Sequence, residues 1–347
     1  MYKKRALLAI VYVILLFLLS ACTAKSTPPV EVQDFMMGTV ITQKVYGENA
    51  EKAVEEVSAR MKDIEARMTV NAPGGEINRL NEAAGKERVK LGSDTMYVLD
   101  KALKFSELSM GAFDVTIGPL VKAWGIFTDS PRVPDKAEID RLKGLIDYSK
   151  INIDKSSLAA KLEQTGQGVD LGGIAKGYAG DEAISIYRKH GIKSAYVNLG
   201  GNVVVLGKKP DGKPWKIGIQ NPRSVNGEYI GIVDVVNKAV VSSGDYERFF
   251  EEDGVRYHHI LDPKTGYPSE SGLIGVTIVA DVSVDADALS TATFILGLDK
   301  GMELVQKLSG VEAIFVTSDK KVYVTDGLRK SFKFSDKSKE FAYVEKR

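Results

Sequence analysis

A single cysteine, Cys22, is all the thiol that this 347-residue chain carries, so no internal disulfide and no cysteine-based zinc site can form. Histidine is nearly as scarce. His190, His258 and His259 are the whole supply, which points away from an all-histidine metal centre and leaves a hard cation on oxygen ligands as the expected metal. Net charge of either sign is also missing: 47 Lys and Arg balance 46 Asp and Glu, so no global field would gather nucleic acid. Any phosphate-bearing ligand must then be held by local groups. Three common signatures are absent as well: Gly-x-x-x-x-Gly-Lys-Ser/Thr, Gly-x-Gly-x-x-Gly after an early strand, and His-Glu-x-x-His. The apolar run from Ala6 to Leu19 is only 14 residues, too short to span a bilayer comfortably.

That run has a different reading. Lys3, Lys4 and Arg5 precede it and Leu19-Ser20-Ala21-Cys22 closes it, the layout of a secretory signal whose last tetrad is similar to a bacterial lipobox. The expectation is cleavage before Cys22 and lipidation of its thiol. Residues 1–21 are then a signal peptide, 22–33 a small, proline-bearing tether, 34–335 the globule and 336–347 a charged surface tail. Such a protein would sit on the extracytoplasmic face of the cell membrane, held by the lipid on Cys22. Losing the three basic residues leaves two more acids than bases, still close to neutral.

Within the globule, a β-branched run from Phe35 to Tyr46 predicts a strand. Val54, Val57, Met61, Ile64 and Met68 recur at three- and four-residue spacing and predict a core-facing helix over 48–68. Further helices are expected over 93–109 with a Ser93 cap, 135–146 with an Asp135 cap, 172–189, 283–296 with a Ser283 cap, and 301–309. Residues 111–124 read as a loop. Short strands are expected at 150–153, 158–163, 194–198, 202–206, 215–220, 230–236, 239–242, 273–280, 312–317 and 321–325, and Asp253-Gly254 marks a hairpin turn. Helices and strands mix without a regular β-α-β period, so the fold class is α+β with mixed sheets and flanking helices, and the ligand cleft is expected between two joined lobes.

Several clusters could carry chemistry. In Asp285-Ala286-Asp287-Ala288-Leu289-Ser290-Thr291, Asp287 and Thr291 are four apart and share a helix face, a pair that Mg²⁺ would accept; equally, Asp285 and Asp287 would suit a helix N-terminus through its dipole. In Val169-Asp170-Leu171-Gly172-Gly173-Ile174-Ala175-Lys176-Gly177-Tyr178 the glycines could admit a phosphate beside Lys176, or could serve helix-sheet packing alone. Asn198-Leu199-Gly200-Gly201-Asn202 reads as a tight turn between strands. His258-His259-Ile260-Leu261-Asp262 offers a histidine next to Asp262 as a base near neutral pH. Gly111-Ala112-Phe113-Asp114 puts an aromatic and a carboxylate in a loop.

Taken together and in order, these segments resemble the ApbE family, the FAD:protein FMN transferases. The resemblance rests on Met37-Gly38-Thr39, Glu76 to Asn81, Gly111 to Asp114, Gly118-Pro119-Leu120, Trp124-Gly125, Asp170 to Gly177, Asn198 to Asn202, Ser243-Gly244-Asp245-Tyr246, His259 to Pro263 and Ala286 to Thr291. It implies that FAD is cut at its pyrophosphate and that FMN is joined through a phosphoester to a Ser or Thr of a target flavoprotein, with AMP released. By the same resemblance FAD would be met by Met37, Asn71, Ala112, Phe113, Asp114, Asp170, Lys176, Ser243, Gly244 and Ile260. Mg²⁺ would be held by the Gly173 carbonyl, Asp287 and Thr291, with His259 as the base, and Phe113 and Met37 could flank a flavin-nucleotide ring. The implied acceptor carries an Asp-x-x-Ser/Thr-Gly-Ala-Thr-like segment. Asn71 stands where some relatives place an aromatic ring, which keeps a Mg²⁺-dependent FAD pyrophosphatase as the alternative, with a non-catalytic FAD-binding lipoprotein as the other. Asp287 to Thr293 only loosely echoes the acceptor segment, and self-modification is not expected.

Overall fold

The computed structural model describes residues 28–71, 73–224 and 227–345; the signal and the first half of the tether, Cys22 included, lie outside them. Among the described residues, no helix is long and apolar enough to cross a membrane. The centre is one sheet of nine strands: β1 (Val30–Met36), β2 (Thr39–Tyr46), β3 (Ser194–Leu199), β4 (Asn202–Leu206), β5 (Ala239–Gly244), β6 (Leu273–Ala280), β7 (Val311–Thr317), β8 (Lys321–Val324) and β9 (Ala342–Tyr343). They lie side by side in chain order, each antiparallel to the next except β8 and β9, which are parallel.

The helices are α1 (Ala50–Met68), α2 (Glu76–Glu82), α3 (Ser93–Leu108), α4 (Gly118–Trp124), α5 (Lys136–Lys143), α6 (Ala175–Lys189) and α7 (Ser283–Gln306). One face of the sheet is covered by α1, α3, α6 and α7 over the larger core. The other is covered by a three-stranded sheet of residues 215–220, 229–235 and 332–334 over a second core. Because side chains alternate along a strand, Val204 and Leu206 of β4 enter the first core while Val203 and Val205 enter the second. A strand covered on both faces must be apolar throughout, and β6 is buried at all eight positions.

A third cluster forms beside the site. Trp124 of α4 is fully buried against Leu120, Ile139, Leu142 and Leu261, and its indole N–H donates to the Gly266 carbonyl at 2.9 Å. Phe250, Tyr257 and Tyr267 pack around its ring at 5.5–6.4 Å between centroids. Burial on this scale is worth about 1.5–3 kcal/mol per large side chain, enough to hold the 259–267 loop against α4 and α5.

Several sequence expectations change. The strand expected over 35–46 is a hairpin: Met37 and Gly38 both have positive φ, 52° and 69°, the type I′ pattern that matches strand twist. Its first strand starts at Val30, inside the expected tether, and the tail is partly built in, with Phe341 buried and β9 paired to β8. The loop at 111–124 contains α4, started by Pro119 and ended at left-handed Gly125. Gly92, not Ser93, precedes α3, and Val282, not Ser283, precedes α7. The expected break between 296 and 301 is real but narrow, a single non-helical residue at Gly297. Asp135 caps α5 as expected, accepting from the Glu138 amide at 2.8 Å.

Candidate active site

The site begins where α6 crosses α7. A Cβ on Gly177 would lie 2.4 Å from the Ser283 carbonyl oxygen and 2.7 Å from Asp287 Cβ, so only glycine lets the helices come this close. An amide in the first turn of a helix often lacks a partner within it. Here the Gly177 N–H donates to Asp287 Oδ2 at 2.8 Å instead of to the Gly173 carbonyl four residues back. The Gly173 carbonyl is thereby left without a hydrogen bond among the described residues.

Two more oxygens share that state. The second carboxylate oxygen of Asp287 and the Thr291 hydroxyl have no hydrogen-bond partner among the described residues, although Asp287 is only 4 % exposed. A Cβ on Gly173 would stand 3.5 Å from Thr291 Oγ1 and 3.2 Å from the Phe113 ring, which places the expected metal residues beside one another. A carbonyl, a carboxylate oxygen and a hydroxyl are the donors that a hard cation takes, so the residues fit Mg²⁺. Only one of the three is anionic, and the described residues hold no group of three or more His, Cys, Asp or Glu, so phosphate or water oxygens would have to complete the shell.

These atoms face a cavity of about 410 Å³. Met37, Asn71, Ala112, Phe113, Asp114, Asp170, Gly173, Lys176, Ser243, His259, Ile260, Asp287 and Thr291 all line it, although they span more than 250 positions of sequence. Gly244 does not. It packs under Tyr246, whose ring would be 2.2 Å from a Cβ at that position, so its lack of a side chain serves packing. Ser243 lines the wall with its hydroxyl bonded to Ser290 at 2.8 Å.

Several lining groups are held by local devices. The Met37 N–H donates to Glu65 of α1 at 2.8 Å, seating the hairpin turn over the cavity. Asp114 organises its own loop, one oxygen taking the Thr116 amide and hydroxyl at 2.8 and 2.7 Å and the other the Tyr148 amide at 3.2 Å. Burial pushes its carboxyl up and those bonds oppose the rise. Asp170 accepts from the Gly172 amide at 2.7 Å, and burial likewise pushes it up. Lys176, half-buried on the first turn of α6, has neither hydrogen bond nor ion pair among the described residues. An unpaired ammonium in a cavity is a ready phosphate ligand.

The two adjacent histidines differ. His258 is buried, its Nε2 donating to the Ser269 carbonyl at 3.2 Å and its Nδ1 accepting the Ile260 amide, so both ring nitrogens serve the loop. His259 reaches the cavity, its Nδ1 facing the Arg248 carbonyl at 3.3 Å and its ring edge-on to Phe127. Burial first, then the Lys176 charge, push it down to about 3, so it stays neutral across physiological pH and does not titrate near 7 as its residue type suggested. Asp262 is not its partner. That carboxylate turns back to the Lys264 amide at 2.8 Å and shapes the Pro263–Gly266 turn.

Glu65, Phe127, Glu247 and Arg248 are among the lining residues that were not anticipated from the sequence. Glu247 and Arg248 directly follow the Ser243–Tyr246 motif, and extending that motif by two residues would have found them. Glu247 is exposed at the cavity rim, near Gly201 and within electrostatic reach of Lys176 and Asp287.

Comparison with known proteins finds relatives over most of the chain. The ApbE family profile matches residues 37–315. A Treponema pallidum FAD:protein FMN transferase is 36% identical over 312 residues, which are 85% of this chain and 86% of the relative. A Klebsiella pneumoniae protein of the same name is 35% identical over 86% of this chain and 92% of its own. The crystal structure of the ApbE protein from Thermotoga maritima superimposes with a TM-score of 0.82 at 33% identity, covering 87% of this chain and 99% of that one. The flavin transferase ApbE from Vibrio cholerae gives a TM-score of 0.79 at 27% identity, covering 87% and 99%.

Proposed function

The chain belongs to the ApbE family, and from that membership we propose that it transfers the FMN moiety of FAD to a Ser or Thr hydroxyl of a target flavoprotein, releasing AMP. The observation that carries this reading is convergence in one cavity: an unpaired lysine, a neutral histidine and three unpaired hard oxygens, beside Phe113 and Met37. Phosphoryl transfer asks for charge neutralisation and in-line positioning more than for covalent help from the protein.

In the proposed step the acceptor oxygen bonds to the FMN phosphorus as the bond from that phosphorus to the bridging oxygen breaks, and AMP leaves with that oxygen. The hydroxyl proton passes to the bare ring nitrogen of His259. Lys176 binds the pyrophosphate from the α6 side, and Phe113 and Met37 orient an aromatic ring of the substrate. A bound Mg²⁺, held by Gly173, Asp287 and Thr291, would supply further neutralisation of the pyrophosphate and of departing AMP. The acceptor is expected to present an Asp-x-x-Ser/Thr-Gly-Ala-Thr-like segment. The lipid on Cys22 would keep the enzyme at the extracytoplasmic face, near membrane-associated acceptors.

Asn71 supports a second activity. It is exposed on the cavity wall, its backbone N–H donating to Thr69 Oγ1, and it offers no ring to close over the substrate; water could then replace the acceptor, giving FMN and AMP. Both readings are tested together on a chain lacking residues 1–22, incubated with FAD and Mg²⁺, with and without a domain carrying the acceptor segment. Mass spectrometry should find an FMN-sized gain on the acceptor that EDTA abolishes. AMP without that gain would favour hydrolysis, and bound FAD with neither product would overturn both.

A further inference from the structure

Arg248 touches two parts of the site at once. Its backbone carbonyl accepts the His259 amide at 3.0 Å and faces His259 Nδ1 at 3.3 Å, while its guanidinium donates to the Gly38 carbonyl at 2.9 Å, in the turn that carries Met37. A carbonyl can only accept, so His259 Nδ1 must carry the ring proton and its Nε2 is left with a bare lone pair. The neighbouring ring is fixed the other way. His258 donates from Nε2 to the Ser269 carbonyl and accepts the Ile260 amide at Nδ1, so its proton is on Nε2.

We propose that Arg248 is a positioning residue for the transfer reaction, fixing His259 in the Nδ1-protonated tautomer and tying that ring to the Met37–Gly38 turn, so that base and substrate-side wall are set as one unit. The inference rests on the transferase reading for its catalytic consequence, but its tautomer half does not. The turn is clamped from both sides, Glu65 on the Met37 N–H and Arg248 on the Gly38 carbonyl, and both of its residues have positive φ. A non-glycine residue such as Met37 holds that conformation only where its surroundings impose it. Arg248 itself is exposed, so the fold does not depend on its side chain.

The test uses the chain lacking residues 1–22, labelled with ¹⁵N-histidine. Nuclear magnetic resonance of the unliganded protein at pH 7 should show opposite tautomers for the adjacent pair, His259 protonated at Nδ1 and His258 at Nε2, assigned with His258→Gln and His259→Gln. Arg248→Ala keeps the backbone carbonyl but unties it from the Met37–Gly38 turn; it should leave the melting temperature nearly unchanged, let that carbonyl drift from His259 Nδ1 so that the ring becomes a mixture of tautomers, and lower kcat about 10- to 100-fold, because small misplacements of reacting groups carry losses of that size. Arg248→Lys, which retains one donor for the Gly38 carbonyl, should recover part of both effects. His259 protonated at Nε2 in the unchanged protein would overturn the proposal, whatever the enzyme's activity. So would an Arg248→Ala protein with wild-type tautomer and wild-type kcat. If no transfer or hydrolysis is found at all but the tautomers respond as stated, the functional reading fails and the positioning role stands.

Discussion

The two ends of the α6–α7 crossing use the same device to different effect. At one end Asp181 of α6 reaches across and accepts the amides of Ser283 and Val284 at 2.8 and 2.9 Å, one on each oxygen, capping α7. At the other, Asp287 of α7 reaches back and accepts the Gly177 amide of α6 on one oxygen only. Each helix caps the other, but one carboxylate is saturated by the fold and the other keeps an oxygen for the cavity. Asp287 as a residue is only 4 % exposed, yet its second oxygen has no partner among the described residues and is open to a ligand as neither Asp181 oxygen is, which makes Asp287 the aspartate proposed to work in the cavity.

The sharpest way to break the comparison is to exchange carboxylate for amide at Asp287. Asp287→Asn keeps an oxygen for Gly177 but removes the anionic donor, so turnover should fall about 10²- to 10³-fold with little change in melting temperature, of the order seen when one electrostatic stabiliser is lost. Turnover within threefold of wild type in the same Mg²⁺ would mean that Asp287 is no more a working group than Asp181.

The saturated end should show itself through pH. Burial raises the Asp181 carboxyl to about 6 despite its two amide bonds, with Asp285 adding to the rise and Lys101 opposing it. Tyr97 faces the same pocket of charge. Between about pH 4 and that value the folded chain binds more protons at this site than the unfolded chain, so this contribution to stability is largest at low pH and is lost as pH rises through about 6. Relative to Asp181→Asn, the wild-type protein should therefore lose a few kcal/mol at most between pH 4 and 6.5, and nothing more above that, as read by urea unfolding. An advantage that grows over this window would show that the two amides outweigh burial.

Between the two ends lies Gly177, which both depend on. Gly177→Ala should cost about 1–3 kcal/mol, since the new methyl meets the Ser283 backbone and Asp287 Cβ and neither can rotate away. It should also lower turnover more than that loss of stability explains, because Asp287 is displaced directly. Full activity at reduced stability would mean that the Asp287 oxygen tolerates a shifted α6.

Much of this was legible in the sequence, for physical reasons. The strand runs at 202–206 and 273–280 stood out because both faces of the sheet are covered, and the α1 stripe because one face is. Most expected lining residues do meet in the cavity, since a motif is a local arrangement that the chain carries with it. What stayed hidden depends on contacts across the fold. That Asp262 turns away from His259, that Gly244 packs under Tyr246, and that Arg248 joins two distant segments all follow from loop paths that no spacing rule encodes. The hairpin at Met37–Gly38 was missed because apolar residues run up to Met37 and β-branched ones follow from Thr39, leaving Gly38 as the one turn signal between them.

The smallest expected effect sits beside the largest. Asp285, two residues before Asp287, lies in the first turn of α7 and pairs with Lys101 at 2.6 Å, both side chains 21–25 % exposed. For Asp285, the helix-terminus role that the sequence allowed for both aspartates is the one that fits. A partly solvated pair at a helix N-terminus is worth about 0.3–1 kcal/mol and is screened by salt. Lys101→Met should therefore destabilise by no more than about 1 kcal/mol, less at high ionic strength, and leave turnover unchanged. A loss of activity on that substitution would tie the outer turn of α7 to the reacting groups, and the division drawn here, one aspartate for the helix and the next for the cavity, would have to move.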